Sequence, residues 1–279
     1  MRQTPITVVI LTKNEEQALL GCLESVKNFH QVLVIDSNST DKTVELALAV
    51  GVEVVNFSWD GKYPKKKQWA LELPIIQNDW VLYLDADERV TKDLETELLE
   101  FFDTSPAGGY AALEIPLRYK FIGKELRYGH RVKKIALLNR NLCSFPEFND
   151  LHVTNMWEVE GHYQPSYSGR LYHLKSKLIH DDPDGLYDYF ARHNRYSDWE
   201  SELIVNPSMS KSVRTNRTLQ GRIFDRVPFK PFVFFIYSYI FRMGFRDGKA
   251  GFHYALALSF YYWQISLKAQ ERMRDANFS

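Results

Sequence analysis

Over its first hundred residues the chain alternates short β-branched runs with helical segments, and few folds accommodate that rhythm. Ile6-Thr7-Val8-Val9-Ile10-Leu11 has the composition of a strand covered on both faces, and Glu15 to Val26 then sets Leu19, Leu20, Leu23 and Val26 at helical spacing. Gln31 to Ile35 reads as a second strand. Ser39, Thr40 and Asp41 offer helix N-caps ahead of Val44, Leu46, Ala47 and Val50, and Gly51 closes that helix. Val52 to Phe57 reads as a third strand, Lys65 to Leu73 as a helix and Trp80 to Leu84 as a fourth strand. With connections this short, the alternation predicts a parallel sheet with right-handed crossovers.

Around Ser105-Pro106-Ala107-Gly108-Gly109 the rhythm changes. Shorter β-like pieces follow at Ala111 to Tyr119, Lys134 to Leu138 and Arg170 to Leu174, read as the mixed half of the same sheet. From Pro183 the chain turns helical and aromatic through Tyr187 to Glu202, and Asn206 to Thr218 is polar and irregular, the pattern of a linker or mobile loop. No internal repeat or low-complexity tract interrupts it.

Composition matters mainly for what it excludes. Lys plus Arg equal Asp plus Glu at 35 each, so no global field recruits nucleic acid, and attraction to a charged partner must come from local patches. Cys22 and Cys143 lie far apart without metal-ligand spacing, which suits a reducing compartment and no disulfide. The Ile6 to Leu11 stretch contains Thr7 and is too short for a secretory core.

The chemistry gathers at the ends of the strands. Asp85-Ala86-Asp87-Glu88 follows the apolar run Trp80 to Leu84, and two carboxylates fixed by a strand end can hold a divalent cation against a diphosphate. By itself the tetrad equally suits a solvated turn. The first strand ends in Thr12-Lys13-Asn14-Glu15-Glu16, where backbone amides and a carboxylate suit a nucleotide, while Asn14 also suits an ordinary helix cap. Asp36-Ser37-Asn38-Ser39-Thr40-Asp41 brings another carboxylate to the same edge. Lys65-Lys66-Lys67 reads as a solvated helix face or as positive charge for a diphosphate, with Lys67 the chosen contact.

In this order the motifs resemble the inverting family 2 glycosyltransferases of GT-A fold over residues 6 to 90, and the lipopolysaccharide-core and exopolysaccharide branch of bacterial enzymes over Ile115 to Asp182. The resemblance implies an α/β GT-A domain over 1–183, with a Rossmann-like nucleotide-sugar half (1–105) and a mixed-sheet acceptor half (106–183), followed by amphipathic helices over 184–279. It implies that Thr12, Asn14, Glu15 and Asp36 surround the nucleotide, that Asp85 lies near the ribose, and that Asp87 binds Mg²⁺ or Mn²⁺ on the donor diphosphate. His180, in Leu178-Ile179-His180-Asp181-Asp182, is a further metal-ligand candidate or a structural histidine. Inverting transfer also needs a general base. Related enzymes often present it in a short His-Glu or Glu-Asp motif, which this chain lacks in simple form. The nearest region is Leu151 to Gly161, where alternation puts Glu158 and Glu160 on one strand face. Glu158 is chosen over Glu160 and Asp150, the alternative being that both glutamates are surface groups or bind acceptor hydroxyls.

Pro231 to Phe241 is apolar for only eleven residues before Arg242, too short to span a bilayer. Arg222, Arg226, Lys230, Arg242, Arg246 and Lys249 face only Asp225 and Asp247 there, a basic excess beside aromatics that favours anionic headgroups. Ala250 to Leu267 is interrupted by His253 and Gln264. These features favour peripheral attachment to the inner face of the cell membrane, on the cytoplasmic side, over core packing or a homo-oligomer interface. The expected reaction is transfer of a sugar from a UDP-sugar or other nucleotide-sugar to a saccharide acceptor, lipid-linked. Its rivals are transfer to a bare polyprenyl phosphate, a sugar nucleotidyltransferase, which would want glycines after the first strand, and a nucleotide-binding protein without turnover.

Overall fold

The structure is a computed structural model, and it describes residues 4–104, 109–147, 150–151, 164–206 and 227–276. The described residues fall into two compact units: one within Met1–Glu125, Arg131–Pro146 and Gln164–Pro183, the other within Leu126–His130, Glu147–Tyr163 and Asp184–Ser279.

The first unit opens with the expected alternation: β1 (Thr4–Thr12), α1 (Leu19–Val26), β2 (Phe29–Asp36), α2 (Thr43–Ala49), β3 (Glu53–Asn56), α3 (Lys66–Leu71) and β4 (Trp80–Asp85). It continues through β5 (Glu88–Val90), α4 (Lys92–Thr104), β6 (Tyr110–Phe121), β7 (Lys124–Glu125), β8 (Lys133–Asn139), β9 (Cys143–Ser144), β10 (Ser166–Tyr167), β11 (Arg170–His173) and β12 (Leu178–His180). The main sheet has the order β3-β2-β1-β4-β8-β6-β12-β5, with β7 and β11 also paired to β6. β3, β2, β1 and β4 are parallel, whereas β8 is antiparallel to both β4 and β6. A parallel half continuing into a mixed half is the sheet expected of a GT-A fold.

Because successive side chains on a strand point to opposite faces, β1 serves two cores. Ile6, Val8 and Ile10 pack with Leu19, Leu23, Leu94 and Leu98 on one side, and Val9 packs with Leu33, Ile35, Leu71 and Tyr83 on the other. Each such fully buried aliphatic side chain contributes about 1.5–3 kcal/mol of transfer free energy. Both cysteines are buried and free.

The second unit is helical: α5 (Leu186–Val205), α6 (Lys230–Phe235), a π-helical turn (Ile236–Phe241), a 3-10 turn (Gly244–Asp247) and α7 (Gly248–Ala276). Lys268 and Arg272 of α7 reach Asp198 and Glu202 of α5 at 2.6 and 3.0 Å. The buried Asp247 carboxylate accepts the backbone N–H groups of Arg127 and Tyr128 at 2.9 and 2.8 Å, and Ser238 Oγ accepts that of His130 at 3.1 Å. Gly251 sits where the 3-10 turn crosses α7, and a Cβ there would lie 2.0 Å from the Gly244 carbonyl oxygen. Among the described residues no helix is long and apolar enough to cross a membrane.

Candidate functional site

The parallel strands bring their carboxyl ends to one edge: Thr12 lies in register with Asp36, and Leu11 with Asp85. Two loops interlock there. Asp36 is buried and accepts Thr12 Oγ1 at 2.9 Å, together with the Ser39 backbone N–H at 2.8 Å and its hydroxyl at 2.5 Å. Asn14, at a left-handed φ of 56°, accepts the Thr40 N–H on Oδ1 at 2.8 Å. Lys13 donates to the carbonyls of Ser37 and Asn38, and Lys66 to that of Thr12 at 2.9 Å.

Asn14 is therefore no helix cap. α1 starts at Leu19 rather than Glu15, because the amides that would open it are engaged elsewhere: the Glu15 N–H donates to Thr43 Oγ1 and that of Glu16 to Asp41 Oδ2. Thr12, Asn14, Glu15 and Asp36 thus share one strand-end platform.

Beside it, β4 delivers Asp85 and the turn into β5 delivers Asp87 and Glu88. Arg89 fixes this turn by donating to the carbonyls of Ala86 and Ala18, both at 2.8 Å. Lys134, on the neighbouring β8, places its ammonium 3.0 Å from Asp85 and 2.7 Å from Glu88, and Glu88 also accepts the Asp85 N–H at 3.0 Å. The sequence reading missed Lys134. Burial disfavours the charged form of Asp85, but the Lys134 ammonium and then Lys67 outweigh it and hold the carboxyl well below its ordinary range. Burial pushes Glu88 the other way, only partly offset by Lys134. Lys67 is buried, its ammonium 5.8 Å from the centre of the Phe145 ring.

The third component comes from β12, which pairs antiparallel with β5 and sets His180 opposite Glu88. His180 Nδ1 and Asp87 Oδ1 stand 3.1 Å apart, yet neither buried atom has an aligned hydrogen bond. Asp182 offers a carboxylate oxygen, and one ligand atom from each of the three lies within 4.8 Å of the others. Two buried polar atoms facing one another without a hydrogen bond can both be satisfied by one cation held between them. One imidazole and two carboxylates are a suitable donor set for a divalent cation, so these residues fit the expected metal. Without a cation, burial lowers the His180 pKa but the Asp87 carboxylate more than reverses this and lifts it to about 9, so a metal taking this nitrogen would displace its proton.

Glu158, like Glu160, lies outside the described residues. Asp150, the other acid weighed for the base, is fully buried in the second unit and accepts Trp199 Nε1 at 3.2 Å.

A family model described as glycosyl transferase family 2 matches residues 7–157. Over 285 residues the chain is 27% identical to RT0209 of Rickettsia typhi, an uncharacterized glycosyltransferase, across 98% of this chain and 91% of that one. It is 26% identical to LpsC of Rhizobium meliloti, a lipopolysaccharide core biosynthesis glycosyltransferase, across 98% and 97%. Among solved structures, S. aureus TarS 1–349 is similar over 91% of this chain and 89% of that one, at 13% identity and a TM-score of 0.40.

Proposed function

The chain belongs to glycosyl transferase family 2, and from that premise we propose that it moves a hexose-type sugar from a UDP-sugar to a hydroxyl of a lipid-linked saccharide, inverting the anomeric carbon. The observation that carries the donor half of this reading is the facing pair Asp87 and His180, at 3.1 Å with no hydrogen bond between them.

Asp87, His180 and Asp182 would hold the cation, and the imidazole in that set favours Mn²⁺ over the oxygen-preferring Mg²⁺. Bound there, a divalent cation supplies positive charge to the diphosphate as it leaves. Asp85, kept ionised by Lys134, is an acceptor for the ribose hydroxyls, and the Thr12, Asn14, Glu15 and Asp36 platform bounds the nucleotide. Lys67, buried beside the site and close enough for its charge to act on Asp85, is the lysine proposed for the diphosphate. Glu158 takes the proton of the acceptor hydroxyl as that oxygen bonds to the anomeric carbon, and the bond from that carbon to the diphosphate breaks on the opposite face. The likeness to LpsC along nearly the whole of both chains supports a lipopolysaccharide-core type of acceptor. We assign 1–105 to the donor, 106–183 to the acceptor, and 184–279 to peripheral contact with the membrane that carries it.

Calorimetric titration with UDP, in Mn²⁺ and then in EDTA, tests the donor site. The native chain is expected to bind only with the metal, and Asp87→Ala to weaken binding about tenfold or more, the scale of a lost charged ligand worth ~1.5–3 kcal/mol. Binding that ignores both EDTA and the substitution would sink the assignment.

A further inference from the structure

We infer that the outer face of α6, the two turns after it and α7 is a docking surface for an anionic lipid bilayer, entered by aromatic side chains and rimmed by basic ones. The inference rests on the membrane contact proposed above and gives it a location and a chemistry.

α7 is apolar on two sides. Its inner side buries Tyr254, Ile265 and Ala269, while Phe252, Leu256, Phe260, Trp263 and Leu267 form a second, exposed stripe. At 1.5 Å per residue that stripe runs ~22 Å along the helix. The segment before it adds Phe229, Phe232 and Phe241, exposed at 79%, 72% and 73%. Soluble surfaces rarely leave so large an apolar area open, and among the described residues no helix is long and apolar enough to cross a membrane, which suits a surface that lies against its partner.

Two features select a bilayer. Phe229 and Met243 bracket α6 and the π-helical turn with left-handed φ values of 51° and 58°, which bulky residues adopt only under strain. Both are exposed, so the strain is maintained at positions that present apolar side chains outward. Apolar side chains projecting singly in this way suit a fluid apolar phase better than a fitted protein surface. The second feature is charge. Arg242, Arg246 and Lys249 border the aromatic end, and the acid among them, Asp247, is buried against the Arg127 and Tyr128 amides. The accessible charge at this end is basic, which matches anionic headgroups, whereas a symmetric contact centred here would set like charges together.

Flotation of the full chain with phosphatidylcholine vesicles, with and without about 30 mol% phosphatidylglycerol, tests the surface. Association is expected only with the anionic lipid and to weaken with salt. The double variant Phe232→Ser/Phe241→Ser should lower partitioning about tenfold or more. Arg246→Gln/Lys249→Gln should remove the preference for phosphatidylglycerol. UDP binding in Mn²⁺, read on the same samples, should not change. A native chain that associates with the anionic vesicles but does not bind UDP in Mn²⁺ would end the donor reading and leave the surface standing. Vesicle association indifferent to both double variants would overturn the surface. So would a stable dimer in light scattering that Phe232→Ser/Phe241→Ser dissociates without any vesicle binding, since it assigns the face to a second copy.

Discussion

Lys134 illustrates what one buried charge does for a site. It stands between Asp85, whose side chain is 44% exposed, and Glu88, at 2%, so its ammonium orients an accessible carboxylate while compensating an enclosed one. Removing it alone strands Glu88. Lys134→Met is expected to cost about 3–5 kcal/mol in urea unfolding. Lys134→Met with Glu88→Gln, which keeps an acceptor for the Asp85 amide, should recover most of that stability while UDP affinity stays low. A single variant as stable as the native chain, or a double variant that binds UDP normally, would show that Lys134 does not position Asp85. The sequence held a signal for this residue: Lys134 leads directly into the apolar run Ile135 to Leu138 of β8 and is buried with Ala136, Leu137 and Leu138. A lysine at an interior position implies a carboxylate opposite it, but which one depends on β8 lying beside β4, a pairing of strands far apart in the chain. Asp85 and Asp87, by contrast, were legible because a local apolar run marks the strand that ends at them.

Among the elements, the parallel strands were readable within a residue or two because their faces are continuously apolar. Helix starts were less so. α1 begins four residues late, for the bridging contacts of Glu15 and Glu16 to the next loop win over helical hydrogen bonding. α4 escaped the reading although Leu94, Leu98 and Phe101 give it an amphipathic period. β5 and β12, three residues each, carry no pattern of their own and exist because each pairs with a neighbour. In the second unit the decisive element is the 3-10 turn, whose Asp247 closes off two backbone amides. Asp247→Ala leaves both without an acceptor and should cost about 2 kcal/mol or more, read as ~30-fold faster hydrogen exchange at Arg127 and Tyr128. Asp247→Asn should restore much of the protection. Unchanged exchange in the alanine variant would mean that this contact does not hold the segment.

For the whole molecule, formal charge is balanced, so acid sensitivity falls to individual groups. His130 is one. Burial, and then the Arg242 guanidinium, push its pKa down to about 4, with the Phe234 ring 5.1 Å away. The unfolded chain binds a proton near pH 6.5 that the folded chain refuses until about pH 4. Its contribution is therefore complete above pH 6.5 and lost as the pH falls toward 4. The melting temperature should drop over that interval, and His130→Gln should flatten the drop relative to the native chain; parallel profiles would exclude His130 as a cause. The mixed half of the sheet was the least legible part at this scale, since its strand order is set by pairings between distant segments, whereas the β-α alternation is local. The anchoring of Arg127 and Tyr128 on Asp247 bears on how such an enzyme can be re-engineered. The loop Leu126–His130 between β7 and β8 folds with the tail, so the tail is no detachable cassette: grafting it onto another transferase would require transplanting that loop as well.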